Sequence, residues 1–186
     1  MHARWICIWC VFIACDDNAR GPSKDAAPEA IADARAFDAA EAGPADDTVP
    51  DASSPTLTTR GRHLLEAIAK NSPDLATDML FPRDGYSIAR DDKDPAKAWD
   101  IKLKPTYERA IGRLNKRSKG VDRAVFVSLD LGRQIVRMSP KKKAWKEALW
   151  RVKHSSLSFT IDGRAQKIDI AEMVAYRGNW YVTQLR

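Results

Sequence analysis

The spacing of apolar residues changes once along the chain. From residue 58 to about residue 120 they recur at helical spacing, whereas beyond residue 124 they alternate with polar residues at a period of two. Leu64, Leu65 and Ile68 fall on one face of a first helix, which we expect to end near Lys70. The pattern therefore predicts helices first and strands afterwards.

Capping signals divide the helical part further. A capping residue precedes a proline at residues 72–73 and again at 94–95, which predicts two more helix starts. Between them, residues 81–94 combine Pro, Gly and a polar run, and we expect a turn followed by a loop. The apolar residues after Pro105 again share one helical face and predict a last helix that Gly120 ends.

The alternating part predicts an antiparallel meander. Asp162-Gly163 and the Arg-Gly-Asn sequence at 177–179 have the composition of hairpin turns, and Gly132 lies in a predicted tight turn. The expected strands occupy 125–130, 134–138, 148–161, 168–176 and 180–185. In the third of these, the apolar residues change from even to odd positions, which predicts a bulge near residues 154–156.

This order is that of an α+β domain with the helices packed on one face of the sheet. The layout and the closing hairpin over 174–182, with its Gly-x-Trp sequence, resemble the nuclear transport factor-like or cystatin-like cone fold. The resemblance implies a curved antiparallel sheet, shaped like a cone, behind N-terminal helices. That fold carries both enzymes and binding modules, so it implies no particular reaction.

Charge divides the 186 residues into three segments. Residues 1–15 carry a single charged side chain, Arg4. Residues 16–55 hold ten acidic and three basic residues, a net charge of −7, and residues 56–186 hold 27 basic and 15 acidic residues, a net charge of +12. We therefore predict a signal segment over 1–14, a linker over 15–55 and a basic domain over 56–186.

The first segment has the features of an export signal. Ten apolar residues follow Arg4, which suits the core of a secretory signal and is too short to span a bilayer. The sequence Phe12-Ile13-Ala14-Cys15 resembles the lipobox of bacterial lipoproteins. The resemblance implies cleavage after Ala14 and lipidation of Cys15, which would tether the protein to a membrane of the cell envelope through stably inserted acyl chains. Inner and outer membranes stay open as alternatives.

The second segment has the composition of a disordered linker. It contains twelve Ala and five Pro, and only three larger apolar residues. Such a segment cannot bury enough apolar surface to offset the entropy of ordering it. We expect it to hold the basic domain away from the bilayer.

Candidate chemistry in the domain is sparse. His154, near the expected bulge, is a low-ranking candidate for a pocket residue, and His63, Asp130, Asp162, Tyr107 and Tyr176 are alternatives, although no spacing forces two of them together. No zinc-hydrolase or nucleotide-binding motif is present, and we predict no metal and no cofactor. The aromatic residues suit core filling, with a pocket for a small apolar ligand as the alternative.

The basic excess is the remaining functional signal. One cluster consists of Lys141, Lys142, Lys143 and Lys146, and a second of Arg113, Lys116, Arg117, Lys119 and Arg123. A solvated surface is one interpretation. The other is contact with anionic envelope material, such as lipid headgroups or a charged polymer. We assign this contact to the first cluster and expect no nucleic-acid partner, because an exported protein would rarely meet one.

These observations favour a non-catalytic binding or scaffolding module tethered in the bacterial envelope. The alternative function is a small-pocket enzyme of the isomerase, dehydratase or hydrolase type on the cone-like fold. A pocket holding His154 would distinguish the second from the first.

Overall fold

The computed structural model describes residues 48–140 and 145–186. This part of the chain is an α+β domain in which helices precede an open antiparallel sheet of five strands. The predicted fold class is confirmed. The predicted signal segment, Cys15 and most of the predicted linker lie outside the described residues.

Four α-helices and a π-helical segment form the first half of the domain. The first helix begins after Ser54, whose hydroxyl accepts a hydrogen bond from the Leu57 amide at 3.1 Å, and it ends at Asn71 in the left-handed region. The helices are α1 (Pro55–Lys70), α2 (Arg83–Ala89), α3 (Pro95–Ala98) and α4 (Lys104–Arg117), with the π-helical segment Trp99–Leu103 between the last two and 3-10 turns at Pro73–Met79 and Val121–Arg123.

The five strands form one sheet. They are β1 (Val125–Asp130), β2 (Ile135–Arg137), β3 (Trp150–Ile161), β4 (Arg164–Tyr176) and β5 (Asn179–Leu185). The strand order is β1-β3-β4-β5, and β2 pairs with β3 as well. Both predicted hairpin turns are present, since Asp162, Gly163, Arg177 and Gly178 all have positive φ.

Two predictions, of a loop near residue 85 and of a turn at Gly132, are wrong. Residues 83–89 form α2 and not a loop, because Gly85, Tyr86 and Ala89 pack one face of this helix into the interior. The chain also does not reverse at Gly132. β1 and β2 run in the same direction along β3, β1 beside residues 156–160 and β2 beside residues 150–152.

The predicted change of side-chain parity occurs in β3. Val152 is buried before it, and Leu157 and Phe159 are buried after it. His154 has a φ of 58°, yet the register between β3 and β4 is the same on both sides of it. The predicted bulge is therefore absent from the ladder between β3 and β4, because β4 changes the parity of its buried residues at the same level and no residue is inserted.

Two groups of buried side chains form the core. The larger group lies between α1, α4 and the sheet, and Leu64, Ile111 and Ile170 are fully buried in it. The smaller group surrounds Phe81 and Trp145. Among the described residues, no helix is both long enough and apolar enough to cross a membrane.

Candidate functional site

An open groove lies at the end of the sheet where β3 turns into β4. One wall comes from the connection between α4 and β1, with Lys119 and Asp122, and the other from the β3–β4 hairpin, with Asp162 and Arg164. The volume of this groove is about 610 Å³, and Ile161 is part of its lining. We call it the hairpin groove.

A second cavity of about 390 Å³ adjoins the hairpin groove. The two share Lys119, Ile161 and Gln166, and the second cavity adds Arg117 and Lys167. The two cavities adjoin around the end of α4, and we call them together the trough. The basic residues of this trough come from α4 and the segment after it on one side and from β4 on the other.

An ion pair holds the two walls of the groove together. Arg123 donates hydrogen bonds from Nε and Nη2 to the two carboxylate oxygens of Asp162, at 3.0 and 2.7 Å. The hydrogen bonds from Arg123 lower the pKa of the Asp162 carboxyl. The two charges compensate each other. The pair therefore links the two walls of the groove and adds no net charge to it.

Other cations of the trough are uncompensated. Lys119, Arg164 and Lys167 are exposed, and none of them forms an ion pair within residues 48–140 and 145–186. Arg117 lies in the last turn of α4, where a cation also stabilises the helix end. Asp122 reduces the local positive charge, which leaves four cations, Arg117, Lys119, Arg164 and Lys167, in excess over one carboxylate.

The chain enters the domain at the opposite end of the sheet. Pro50 is buried there, and its carbonyl accepts a hydrogen bond from the Trp180 indole at 3.1 Å. Thr48 and Pro50 line a small cavity with Trp150, at the start of β3, and Tyr176, at the end of β4. The packed part of the chain thus begins on the linker side of the boundary predicted at residue 56.

Only one residue of the predicted lysine cluster, Lys146, lies within the described part of the chain. The cluster lies in the connection between β2 and β3, and Lys141, Lys142 and Lys143 fall outside the described residues. Lys146 is exposed, and its backbone amide donates a hydrogen bond to the Ala89 carbonyl at 2.7 Å. Lys146 is not part of the hairpin groove.

The predicted pocket residue His154 lies on the surface. Its side chain is exposed at the left-handed position of β3, and it is not part of the hairpin groove.

Aromatic rings occupy the interior at the other end of the domain, where Phe81 has edge-on contacts with Tyr86, Trp145 and Tyr181 at centroid distances of 6.3, 6.0 and 5.9 Å.

The alternative candidates lie apart and bind different partners. His63 Nδ1 lies 2.8 Å from Asp78 Oδ2 on the surface, and Asp130 accepts a hydrogen bond from Ser128. The buried Tyr107 hydroxyl donates to the Ala76 carbonyl at 2.9 Å. Tyr176 is half-buried and contacts the ring of Phe81. The structure does not assemble these residues into one site.

The sequence pattern indicates one half of the hairpin groove and not the other. Lys119 and Arg123 are part of the second predicted basic cluster, but Arg164 and Lys167 belong to neither cluster. The hairpin turn at Asp162-Gly163 could have indicated which residues flank the end of the sheet. Which helix end lies beside that turn is a tertiary relationship, and no local pattern contains it.

The described part of the chain contains no group of three or more side chains arranged to hold a metal ion.

No protein-family model, curated protein or solved structure matches the chain. The likenesses to the lipobox and to the cone fold therefore stay predictions from the sequence.

Proposed function

We propose that this protein is a lipid-anchored module of the bacterial cell envelope whose basic domain binds anionic envelope material without catalysing a reaction. The anchor is the lipidated Cys15, and the segment after it is a flexible tether. The domain contributes positive charge at two separate places, the hairpin groove and the lysine cluster around Lys146.

One observation carries the proposal. Lys119, Arg164 and Lys167, which are far apart in sequence, line one trough and are not neutralised by described residues. A solvated surface of average composition would intersperse charges of both signs. Convergent, uncompensated cations instead raise the local concentration of anions. The exposed position of His154 and the aromatic filling around Phe81 give the alternative, enzymatic function no comparable support.

Vesicle binding tests the anionic contact. Residues 16–186 should bind vesicles containing phosphatidylglycerol at low salt and should not bind neutral phosphatidylcholine vesicles. Binding should weaken steeply as salt rises, because exposed charges are screened beyond about 8 Å at physiological ionic strength. Equal binding to both vesicle types, or no response to salt, would contradict the proposal.

A quadruple variant tests the predicted lysine cluster. Replacing Lys141, Lys142, Lys143 and Lys146 with Gln should weaken vesicle binding at low salt by a few kcal/mol, since each lysine near an anionic surface contributes about 1 kcal/mol. The melting temperature should stay unchanged, which serves as the folding control. If the variant binds vesicles as the parent does, this cluster does not touch the membrane.

The anchor is tested separately. Mass spectrometry of the protein from the membrane fraction should show an acylated N-terminus at Cys15. The Cys15→Ser variant should no longer associate with membranes stably. An N-terminus at Met1, or membrane association that survives the substitution, would remove the lipoprotein part of the proposal and leave the anion binding to stand by itself.

A further inference from the structure

We propose that the hairpin groove is a binding site for a linear, hydrophilic polymer that carries phosphate groups, and that this polymer is distinct from the membrane that holds the anchor. The inference rests on the proposed anionic contact. It assigns that contact a site and a class of ligand.

The groove is held in place before any ligand arrives. The bidentate pair between Arg123 and Asp162 fixes the β3–β4 turn against the segment after α4. Lys119 and Arg164 stand on the two walls that this pair links. Such preorganisation reduces the entropy lost on binding.

The charge of the groove suits phosphate. Without the compensated pair, the trough has Arg117, Lys119, Arg164 and Lys167 against the single carboxylate of Asp122, a net charge of +3. The planar guanidinium of Arg164 matches the geometry of phosphate oxygens, and each lysine adds a point charge.

The shape of the trough favours a chain over a bilayer. The trough is concave and runs through two adjoining cavities of about 610 and 390 Å³ that share Lys119 and Ile161. A flat headgroup surface would touch only the rim of such a concavity. A flexible polymer can enter it and place successive phosphate groups beside successive cations.

The position of the groove separates it from the anchor. Thr48 enters the domain beside Trp150, at the start of β3, whereas Ile161, at the end of β3, lines the groove. Eleven residue steps of strand correspond to about 35 Å, which exceeds the screening length of about 8 Å several times. A flexible tether allows the domain to turn its entry end toward the bilayer, and in that orientation the groove is outside the field of the lipid headgroups.

The experiment uses the full chain, purified from a bacterial host and reconstituted in nanodiscs. The probe is long-chain polyphosphate, and the dissociation constant is measured at physiological salt. The groove variant K119Q/R164Q/K167Q is compared with the loop variant K141Q/K142Q/K143Q, which removes the same charge from the segment of sequence between β2 and β3. A third variant, K119R/R164K/K167R, keeps the charge of the groove, and melting temperatures check the folding of all three.

We expect the groove variant to bind polyphosphate at least about tenfold more weakly than the parent, and the loop variant to stay within about threefold. The charge-keeping variant should stay within about threefold of the parent, because its charge is unchanged and only the guanidinium geometry at residue 164 is lost. The slope of log K against log salt should fall by up to about three in the groove variant, because each removed cation leaves one phosphate without its partner. Exchanging neutral for phosphatidylglycerol nanodiscs should change polyphosphate binding by less than about threefold.

Four results would overturn the inference. If both charge-removing variants weaken binding equally, the groove is not a site, and the general anionic attraction stands. If anionic nanodiscs abolish polyphosphate binding, the groove contacts the anchoring membrane. If the chain binds anionic vesicles but not polyphosphate, the ligand class is wrong. If it binds neither, the proposed function fails together with the inference.

Discussion

Arg123 and Asp162 join two parts of the domain that are 39 residues apart in sequence, through two hydrogen bonds of 3.0 and 2.7 Å. Arg123 belongs to the 3-10 turn before β1, and Asp162 has positive φ in the turn after β3. The geometry of the hairpin groove depends on this pair. Protonation of Asp162 at low pH would break the pair and so change the groove.

The pKa of Asp162 should be measurably low. Because Arg123 stabilises the ionised carboxylate, the contribution of the pair to stability is complete above the ordinary aspartate pKa near 3.8 and is lost as the pH falls through the lower, folded-state pKa. Nuclear magnetic resonance titration of the carboxyl carbon measures this midpoint. Arg123→Gln should return it to the usual range.

The control for this titration is Arg83→Gln. Arg83 forms a comparable bidentate pair with Asp100, on α2 and the π-helical segment. Its loss should raise the pKa of Asp100 and leave that of Asp162 unchanged. A midpoint for Asp162 that does not respond to Arg123→Gln would mean that the pair does not form in solution.

Gly132→Ala should destabilise the domain. A β-carbon at this position would lie 1.8 Å from the backbone carbonyl oxygen of Lys153, so the link between β1 and β2 would have to move away from β3. We expect a loss of at least about 2 kcal/mol in the free energy of unfolding, measured in urea. Gly112→Ala, within α4, is the matched control. Its β-carbon would meet only Asn71 Oδ1 at 3.4 Å, and it should change stability by less than about 1 kcal/mol.

Trp180→Phe should weaken the attachment of the segment around Pro50 to the rest of the domain. The substitution removes the hydrogen bond to the Pro50 carbonyl and should lower the free energy of unfolding by about 1–2 kcal/mol. Amide exchange at residues 51–53 should become faster. Trp99→Phe removes a similar indole hydrogen bond, to the Phe81 carbonyl, and should leave exchange at 51–53 unchanged. Equal exchange in both variants would show that Trp180 does not hold this segment.

Tyr107→Phe should distinguish two effects of Tyr107 on stability, that of its hydrogen bond and that of the ionisation of its phenol. Burial raises the pKa of the Tyr107 phenol, so the unfolded chain ionises first and stability falls as the pH rises above about 10. The variant should lose about 1–2 kcal/mol at neutral pH, because the Ala76 carbonyl loses its donor, and should show a weaker decline above pH 10. Urea unfolding at both pH values measures this. Tyr181→Phe, at a half-buried position, should show a smaller loss at neutral pH.

The sequence determined the fold class and most element positions. The cap at Asp94, the helical face that buries Tyr107 and Ile111, and the positive-φ turn at Gly163 are local features, and the structure contains all three. Periodicity also located the parity change at His154. Local patterns succeed here because the residues that decide each feature lie within a few positions of one another.

Tertiary packing decided the rest. α2 forms because Tyr86 and Ala89 pack against the aromatic group around Phe81. The polar, glycine-containing sequence of this segment does not indicate that contact. β1 and β2 share one neighbour because Gly132 allows the chain to pass close to Lys153 without reversing.

The hairpin groove shows the same division. The basic residues near the end of α4 are visible in the sequence, but the pairing of β3 with β4 and the contact between Arg123 and Asp162 bring Arg164 to the same groove as Lys119. The separation of this groove from the chain entry at Pro50 is likewise set by the length and pairing of β3 and β4. Net charge is a sum over the sequence, whereas the place where charge converges depends on contacts between residues that are distant along the chain.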